Sequence, residues 1–201
     1  MDQTAQELAK YPIDRLERTP SDTRILVGLG GVPGLATLIV THFTSEQSRA
    51  YGSTAVAVSI DGWLLTLGQL DSLPDPQHAR KNRGVHWTFD ALGMHPSSNP
   101  FSQVTVLTAP GCYHSVPDPI KDSLAVQPTD RIVNLEGIYA FFTLEPWIQA
   151  GEVLDERWLI DEDPDEAKRR VIQRNFETGV TNLEEATRSN STRLVRTSSL
   201  L

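Results

Sequence analysis

The stretch Arg24-Ile25-Leu26-Val27-Gly28-Leu29-Gly30-Gly31-Val32-Pro33-Gly34 decides how the rest of this chain is read. It is an unbroken apolar run of strand type that breaks into a glycine-rich turn. The apolar segment 35–43 follows, and it predicts a helix behind that turn. Apolar residues on consecutive positions are expected of a strand covered by helices on both faces. Strand, glycine turn and helix N-terminus together form an anion cradle, because backbone N–H groups and the helix dipole both point into the turn.

The chain after the turn continues the same alternation. Residues 54–60 (Thr-Ala-Val-Ala-Val-Ser-Ile) read as a second strand that ends on Asp61-Gly62-Trp63. A helix or ordered loop is expected over 64–73, a loop over 94–100, a short strand over 104–107 and a turn-rich stretch over 110–119. Residues 131–135 read as a strand running into Glu136-Gly137, 146–151 as a short helix, and 157–160 as a further strand. Asp163 as N-cap, Pro164 at the first position, Glu166 three after the cap and Gly179 past the end predict a helix. Asn182 with Glu185 starts another. Ahead of the first strand, residues 2–16 read as a short leading helix, closed by a turn at Thr19-Pro20-Ser21-Asp22. Strands alternating with helical segments predict an α/β domain with a mainly parallel sheet. One domain is expected over 1–201, with a leading helix and turn over 1–22 and lid and C-terminal helices over 164–190.

Composition narrows the function classes. With 26 acidic against 18 basic residues the formal charge is −8, which argues against a general nucleic-acid binder. A single cysteine, Cys112, cannot make an internal disulfide and suits a reducing compartment. The polar, acidic start Met1-Asp2-Gln3-Thr4 resembles neither a secretory signal nor a basic transit peptide. No apolar run approaches the roughly 20 residues that span a bilayer. A cytoplasmic, soluble protein with no membrane or nucleic-acid partner is the expectation; the oligomeric state is left open.

In a parallel α/β sheet, ligands bind at the carboxyl ends of the strands. Three such ends carry chemistry here: the turn at 30–34, Asp61 and Glu136. An anion cradle beside two carboxylates suits a nucleotide, Mg²⁺ and a hydroxyl acceptor, since one carboxylate can hold a metal and another can take the hydroxyl proton. A dinucleotide fold would need the Gly-x-Gly-x-x-Gly fingerprint, whose last glycine is replaced by Pro33. Asp161, Asp163 and Asp165 imitate a calcium loop, but its sixth and twelfth positions are Glu166 and Ile172. His78, His86, His95, His114 and Cys112 show no paired zinc spacing. Cys112 near His114 suits a small buried hydrophobe better than a thiol nucleophile. Arg170 and Arg174 share a helix face. Two readings of that pair stand side by side: a solvated face opposite acidic neighbours, or a lid whose guanidinium groups grip phosphate oxygens.

A set of collinear motifs then identifies a family. Gly31-Val-Pro-Gly34, Ser59-Ile-Asp-Gly-Trp63, Gln69 through Pro76, Arg83-Gly84, Trp87-Thr-Phe-Asp90, Tyr113-His114, Asp118-Pro119, Glu136-Gly-Ile-Tyr139 and Asp161 through Gly179 resemble the phosphoribulokinase/uridine kinase/pantothenate kinase branch of P-loop kinases. The chain is most similar to the fungal and bacterial nucleoside kinase-like members. The resemblance implies a P-loop NTPase-type three-layer α/β sandwich and an ATP-dependent kinase that phosphorylates a hydroxyl of a small, nucleoside- or pantothenate-like metabolite, with ATP and Mg²⁺ as cofactors. Gly30, Gly31, Val32, Pro33, Gly34, Leu35, Ala36 and Thr37 would then form the phosphate loop. Asp61 would be the catalytic base or a metal-side carboxylate, and Glu136 would sit near Mg²⁺ and substrate. Arg170 and Arg174 would belong to the lid over ATP, while Arg83, His114 and Tyr139 would line the acceptor side.

The chain departs from the family most at the loop itself. Members read Gly-x-Pro-Gly-Ser-Gly-Lys-Ser/Thr-Thr-Leu-Ala, whereas Gly34 joins directly to Leu35-Ala36. About five residues are missing relative to that pattern, among them the phosphate-binding lysine and the magnesium-binding hydroxyl; Thr37 is the only nearby hydroxyl. Further departures are the short stretch 93–102, Tyr113 before the histidine, Asn134 within the strand leading to Glu136, and a shortened end over 193–201. A second expectation therefore stands beside the kinase: a pseudokinase of the same fold that binds a metabolite or partner without turnover.

Overall fold

The structure, a computed structural model, describes residues 11–31, 40, 44–45, 47–48, 55–94, 100–113, 116–140, 142–160, 163, 165–166, 169 and 172. Six strands are described: β1 (Ile25–Gly31), β2 (Ala55–Ser59), β3 (Leu107–Gly111), β4 (Ile120–Val126), β5 (Ile132–Glu136) and β6 (Glu156–Ile160). Four of them make one parallel sheet in the order β2-β5-β1-β6. The α/β architecture read from the strand–helix alternation is thus present, with β1 as an inner strand.

The unbroken apolar run of β1 has a direct explanation. Successive side chains of a strand point to opposite faces, and each face of this sheet has its own core. Leu26, Val58, Val133 and Leu135 join one cluster with Phe89, Phe142 and Trp147. Ile25, Val27, Leu29 and Ile132 join the other with Ile13 and Val40. All seven residues of β1 are buried as a result. Ile13 comes from the leading helix, whose described part is pinned to the base of β6: Arg15 bonds the carboxylates of Asp155 (2.9 Å) and Glu156 (2.8 Å).

Arg24, one residue before β1, is 1% exposed and is the largest buried charged side chain among the described residues. Its guanidinium donates to the carbonyls of Asp130 (2.8 Å), Thr105 (2.6 Å), Gln127 (2.9 Å) and Gln103. It thereby ties the amino end of the sheet to the stretch before β3 and to the turn before β5. Burial lowers its pKa, and the nearby Asp130 acts in the opposite sense.

Between β2 and β3 the chain forms short pieces. The 3-10 turn Ile60–Trp63 leads to α1 (Leu67–Asp71), which starts with a complete capping box between Thr66 and Gln69. Then come α2 (Pro76–Lys81), capped by Asp75, and α3 (Ala91–Met94). α4 (Trp147–Glu152) precedes β6. Asp163 caps as expected, its carboxylate accepting from the amides of Asp165 (3.0 Å) and Glu166 (3.1 Å). Of the helix expected over 35–43 only Val40 is described, and it is helical; the helix expected from 182 onward and most of 164–190 lie outside the described residues.

The structure corrects one region. The strand expected over 104–107 begins only at Leu107, and it pairs antiparallel with β4 in a separate two-stranded hairpin. β4 was not foreseen, since its sequence Ile-Lys-Asp-Ser-Leu-Ala-Val buries only its last residue. With its first three residues exposed and only Leu124 and Val126 packed toward the core, it carries no clean alternation of apolar and polar residues.

Candidate active site

Parallel register aligns the carboxyl ends of the sheet. Leu29 pairs with Glu136, Ser59 pairs with Glu136 on its other side, and Gly31 pairs with Ile160. The start of the glycine turn, the end of β2 and the end of β5 therefore share one edge. Gly137 extends that alignment by donating its amide to the Leu29 carbonyl at 3.0 Å. Glu136 is 7% exposed; strand alternation places it on the same face as Ile132 and Asn134.

On that face, Asn134 Nδ2 donates to Thr44 Oγ1 and to Gln47 Oε1, both at 2.9 Å. Thr44 and Gln47 are helical residues beyond the glycine turn. The asparagine that interrupts an otherwise apolar strand thus fastens β5 to the segment behind the turn. The sequence showed the interruption but not its partners.

Asp61 stands on the 3-10 turn after β2, and Ser59 Oγ accepts from its amide at 3.3 Å. Asp61 is exposed while Ile60, Gly62 and Trp63 are buried, so this turn offers one carboxylate outward. The neighbouring Cys112, just past β3, is not the small buried hydrophobe expected from the sequence but an exposed free thiol whose pKa is raised, first by partial burial and then by the charge of Asp61; Arg83 acts in the opposite sense. Asp61, Cys112 and Arg83 hence lie in one electrostatic neighbourhood.

Arg83 is held from the side. Its Nη2 bonds Asp118 Oδ1 at 2.9 Å and its Nη1 donates to the Pro117 carbonyl at 2.6 Å. The same Asp118 oxygen accepts from the Leu67 amide at 2.8 Å, fixing the start of α1. Tyr139 is buried, and its hydroxyl donates to the Gly84 carbonyl at 3.3 Å. Its ring meets His86, Phe89, Phe142 and Trp147 with centroids 5.2–6.1 Å apart. Desolvation lowers the pKa of His86 in this aromatic cluster.

The structure therefore brings Gly30, Gly31, Glu136 and the start of the Asp61 turn to one sheet edge. Arg83 lies in the Asp61 and Cys112 neighbourhood, and Tyr139 follows Glu136 three residues on. Val32, Pro33, Gly34, Leu35, Ala36, Thr37, His114, Arg170 and Arg174 lie outside the described residues. Sequence reasoning missed the cap from Ser59 and the bracing of Arg83 by Asp118. The Ser-x-Asp spacing was the available signal for the first. The second joins residues 35 apart and left no local trace.

Among the described residues, no group of three or more His, Cys, Asp or Glu side chains could hold a metal ion, and no helix is long and apolar enough to cross a membrane. The carboxylates of Asp61 and Glu136, carried at the same end of the sheet, nevertheless suit Mg²⁺, which is bound by one or two carboxylates together with substrate phosphates rather than by an all-protein cage.

Comparison with known proteins identifies the family and the fold. No family model matches the chain. It is 31% identical over 126 residues to the ATP-dependent kinase-like protein notR' of Aspergillus versicolor, covering 60% of this chain and 73% of that protein. It is also 31% identical over 166 residues to a protein of Schizosaccharomyces pombe described as a uridine kinase, covering 81% of this chain and 71% of the relative. Among solved structures, one described as a fructose transport system kinase from Silicibacter sp. TM1040 superposes with a TM-score of 0.80 at 22% identity, over 93% of this chain and 88% of the other. YFH7 of Saccharomyces cerevisiae, described as a P-loop-containing kinase with a circular permutation, gives 0.80 at 18% identity over 96% and 95%. The chain belongs to the P-loop kinases of the uridine kinase and phosphoribulokinase type.

Proposed function

We propose that this chain is an ATP-dependent small-molecule kinase that transfers the γ-phosphate of ATP to a hydroxyl of a nucleoside- or pantothenate-like metabolite. The observation that supports this reading is the register that aligns the end of β1, where the glycine-rich stretch begins, with Glu136 and with Ser59 just ahead of the Asp61 turn at the carboxyl edge of a parallel sheet. Residues 30–37 would take the phosphates of ATP, and Arg170 and Arg174 would grip them from the lid. Asp61, exposed on its turn, takes the proton of the acceptor hydroxyl; Glu136 is the metal-side carboxylate. Arg83, His114 and Tyr139 line the acceptor side. Bound Mg²⁺ would supply charge stabilisation at the transferring phosphoryl group.

One observation favours the second reading, a pseudokinase that binds without turnover: Gly34 runs straight into Leu35-Ala36, with no Gly-Lys-Ser/Thr. The lysine and hydroxyl are worth several kcal/mol of transition-state stabilisation in such enzymes, of order 3–4 kcal/mol per preorganised donor. Calorimetric titration with ATP, with and without Mg²⁺, followed by transfer assays on nucleoside, pantothenate and sugar acceptors, separates the two. Binding with transfer supports the kinase, and binding without transfer supports the pseudokinase. No binding at millimolar ATP defeats both as nucleotide-dependent readings.

A further inference from the structure

Asp61 is the one exposed residue of its 3-10 turn, and the contacts on both sides of it leave no room for a side chain. On one side, Gly137 follows Glu136 with φ +154°, a conformation L-residues rarely adopt; a Cβ there would fall on Cγ1 and Cδ1 of Ile60. On the other side, a Cβ on Gly62 would fall on the Pro110 carbonyl oxygen and stand 2.7 Å from its carbonyl carbon. The first obstacle is a flexible side chain. The second is the backbone of β3, which cannot rotate aside. Residues 60 and 62 are thus seated against the end of β5 and against the hairpin, and Asp61 sits between the two seats.

We propose that Gly62 and Gly137 are positioning residues for Asp61, and that the β3–β4 hairpin, pressed onto Gly62 through Pro110, braces this carboxylate at the sheet edge. The proposal rests on the reading of Asp61 as the proton-accepting carboxylate, but the brace itself is a property of the fold. It gives the hairpin a task that its exposed, weakly patterned sequence does not announce. A carboxylate that must meet a hydroxyl within hydrogen-bond reach gains from a fixed backbone, because small misplacements at a reacting centre are costly.

The chain carries its own reporter. Cys112 is its only thiol, lies one residue beyond β3, and is influenced by the charge of Asp61. Its rate of alkylation by iodoacetamide as a function of pH therefore reads how closely hairpin and carboxylate are held, without any need for turnover. Removing the Asp61 charge lowers the thiol pKa and raises the thiolate fraction, so Asp61→Asn speeds alkylation at neutral pH. The same substitution is made in the Gly62→Ala background and in a Gly68→Ala background, where a Cβ at residue 68 meets nothing within 4 Å.

The expected result is that the Asp61→Asn acceleration persists with Gly68→Ala and is lost with Gly62→Ala. Circular dichroism and thermal unfolding check that each variant is folded. If Gly62→Ala does not fold, Pro110→Gly, which loosens β3 while leaving Gly62 in place, carries the same cycle. An equal acceleration in all backgrounds, or none in the parent protein, overturns the proposal. Phosphoryl transfer is read separately, with Gly62→Ala expected to lower kcat while leaving KM for ATP unchanged. A parent protein that phosphorylates no acceptor defeats the kinase reading and leaves the thiol cycle, and with it the brace, to stand or fall by itself.

Discussion

Ser59 and Glu136 are register partners at the carboxyl ends of neighbouring parallel strands. The hydroxyl of Ser59 also accepts from the Asp61 amide at 3.3 Å. One strand pair therefore presents a buried carboxylate and, two residues past its partner, an exposed one. The first suits a charge that stays in place, and the second suits a group that must meet a substrate.

Replacing Asp61 by alanine should abolish phosphoryl transfer while sparing the fold, because the side chain is exposed and makes no part of either core. A loss of about 10²–10⁴-fold in kcat is expected of a general base. ATP affinity by calorimetry and the melting temperature should stay near those of the parent. Retained turnover would refute the role.

Restoring the phosphate loop should change activity in the opposite direction. Inserting Ser-Gly-Lys-Ser-Thr between Gly34 and Leu35 supplies a lysine and a hydroxyl that the turn lacks. Transfer should rise by about 10²-fold or more, the scale of a single preorganised donor, and ATP should bind more tightly. Unchanged rate and affinity would show that this turn does not hold the phosphates.

Arg24→Met tests the buried guanidinium. Methionine keeps much of the volume and abandons four carbonyl acceptors at the base of the sheet. At roughly 1–3 kcal/mol for each buried group left unsatisfied, the loss should reach at least about 3 kcal/mol. For a chain of this size that is a drop of roughly 6–12 °C in Tm. Differential scanning calorimetry decides it; a drop under a degree would mean that water replaces the arginine at no cost.

His86 should give stability a pH dependence of definite sign. Desolvation lowers its pKa from the ordinary 6.5, so between that value and its folded pKa the unfolded chain binds more protons. Stability is then full above the unfolded value and falls as pH drops through this window. His86→Phe, which keeps a ring against Tyr139 and Phe142, should flatten the slope in urea titrations between neutral and mildly acidic pH. An identical slope in the variant would assign the effect to other groups.

Much of the parallel sheet was legible in the chain. The apolar runs over 24–29, 54–60 and 131–135 each became a strand to within two residues; in β1 and β5 burial on two faces removes the polar positions that would blur a pattern, while β2 is mostly half-buried. The strand ends were legible too, since Asp61 and Glu136 follow those runs at once. The hairpin was not. β4 buries one residue in seven, and its place is set by pairing with β3 rather than by its own periodicity. The bracing of Arg83 by Asp118 was equally silent, being a contact between distant segments.

The sequence by itself determined the α/β class, the carboxyl-edge location of the candidate site and the absence of a lysine in the glycine turn. These follow from local patterns of hydrophobicity and from residue identity. Only the tertiary structure decided that the inner strand β1 divides two cores, that Asn134 fastens β5 to the segment behind the turn, and that Gly62 and Gly137 seat the Asp61 turn against β3 and β5. Those relationships depend on which backbones approach within a Cβ of one another. That is settled by the packing of the whole chain and is written in no single stretch of it.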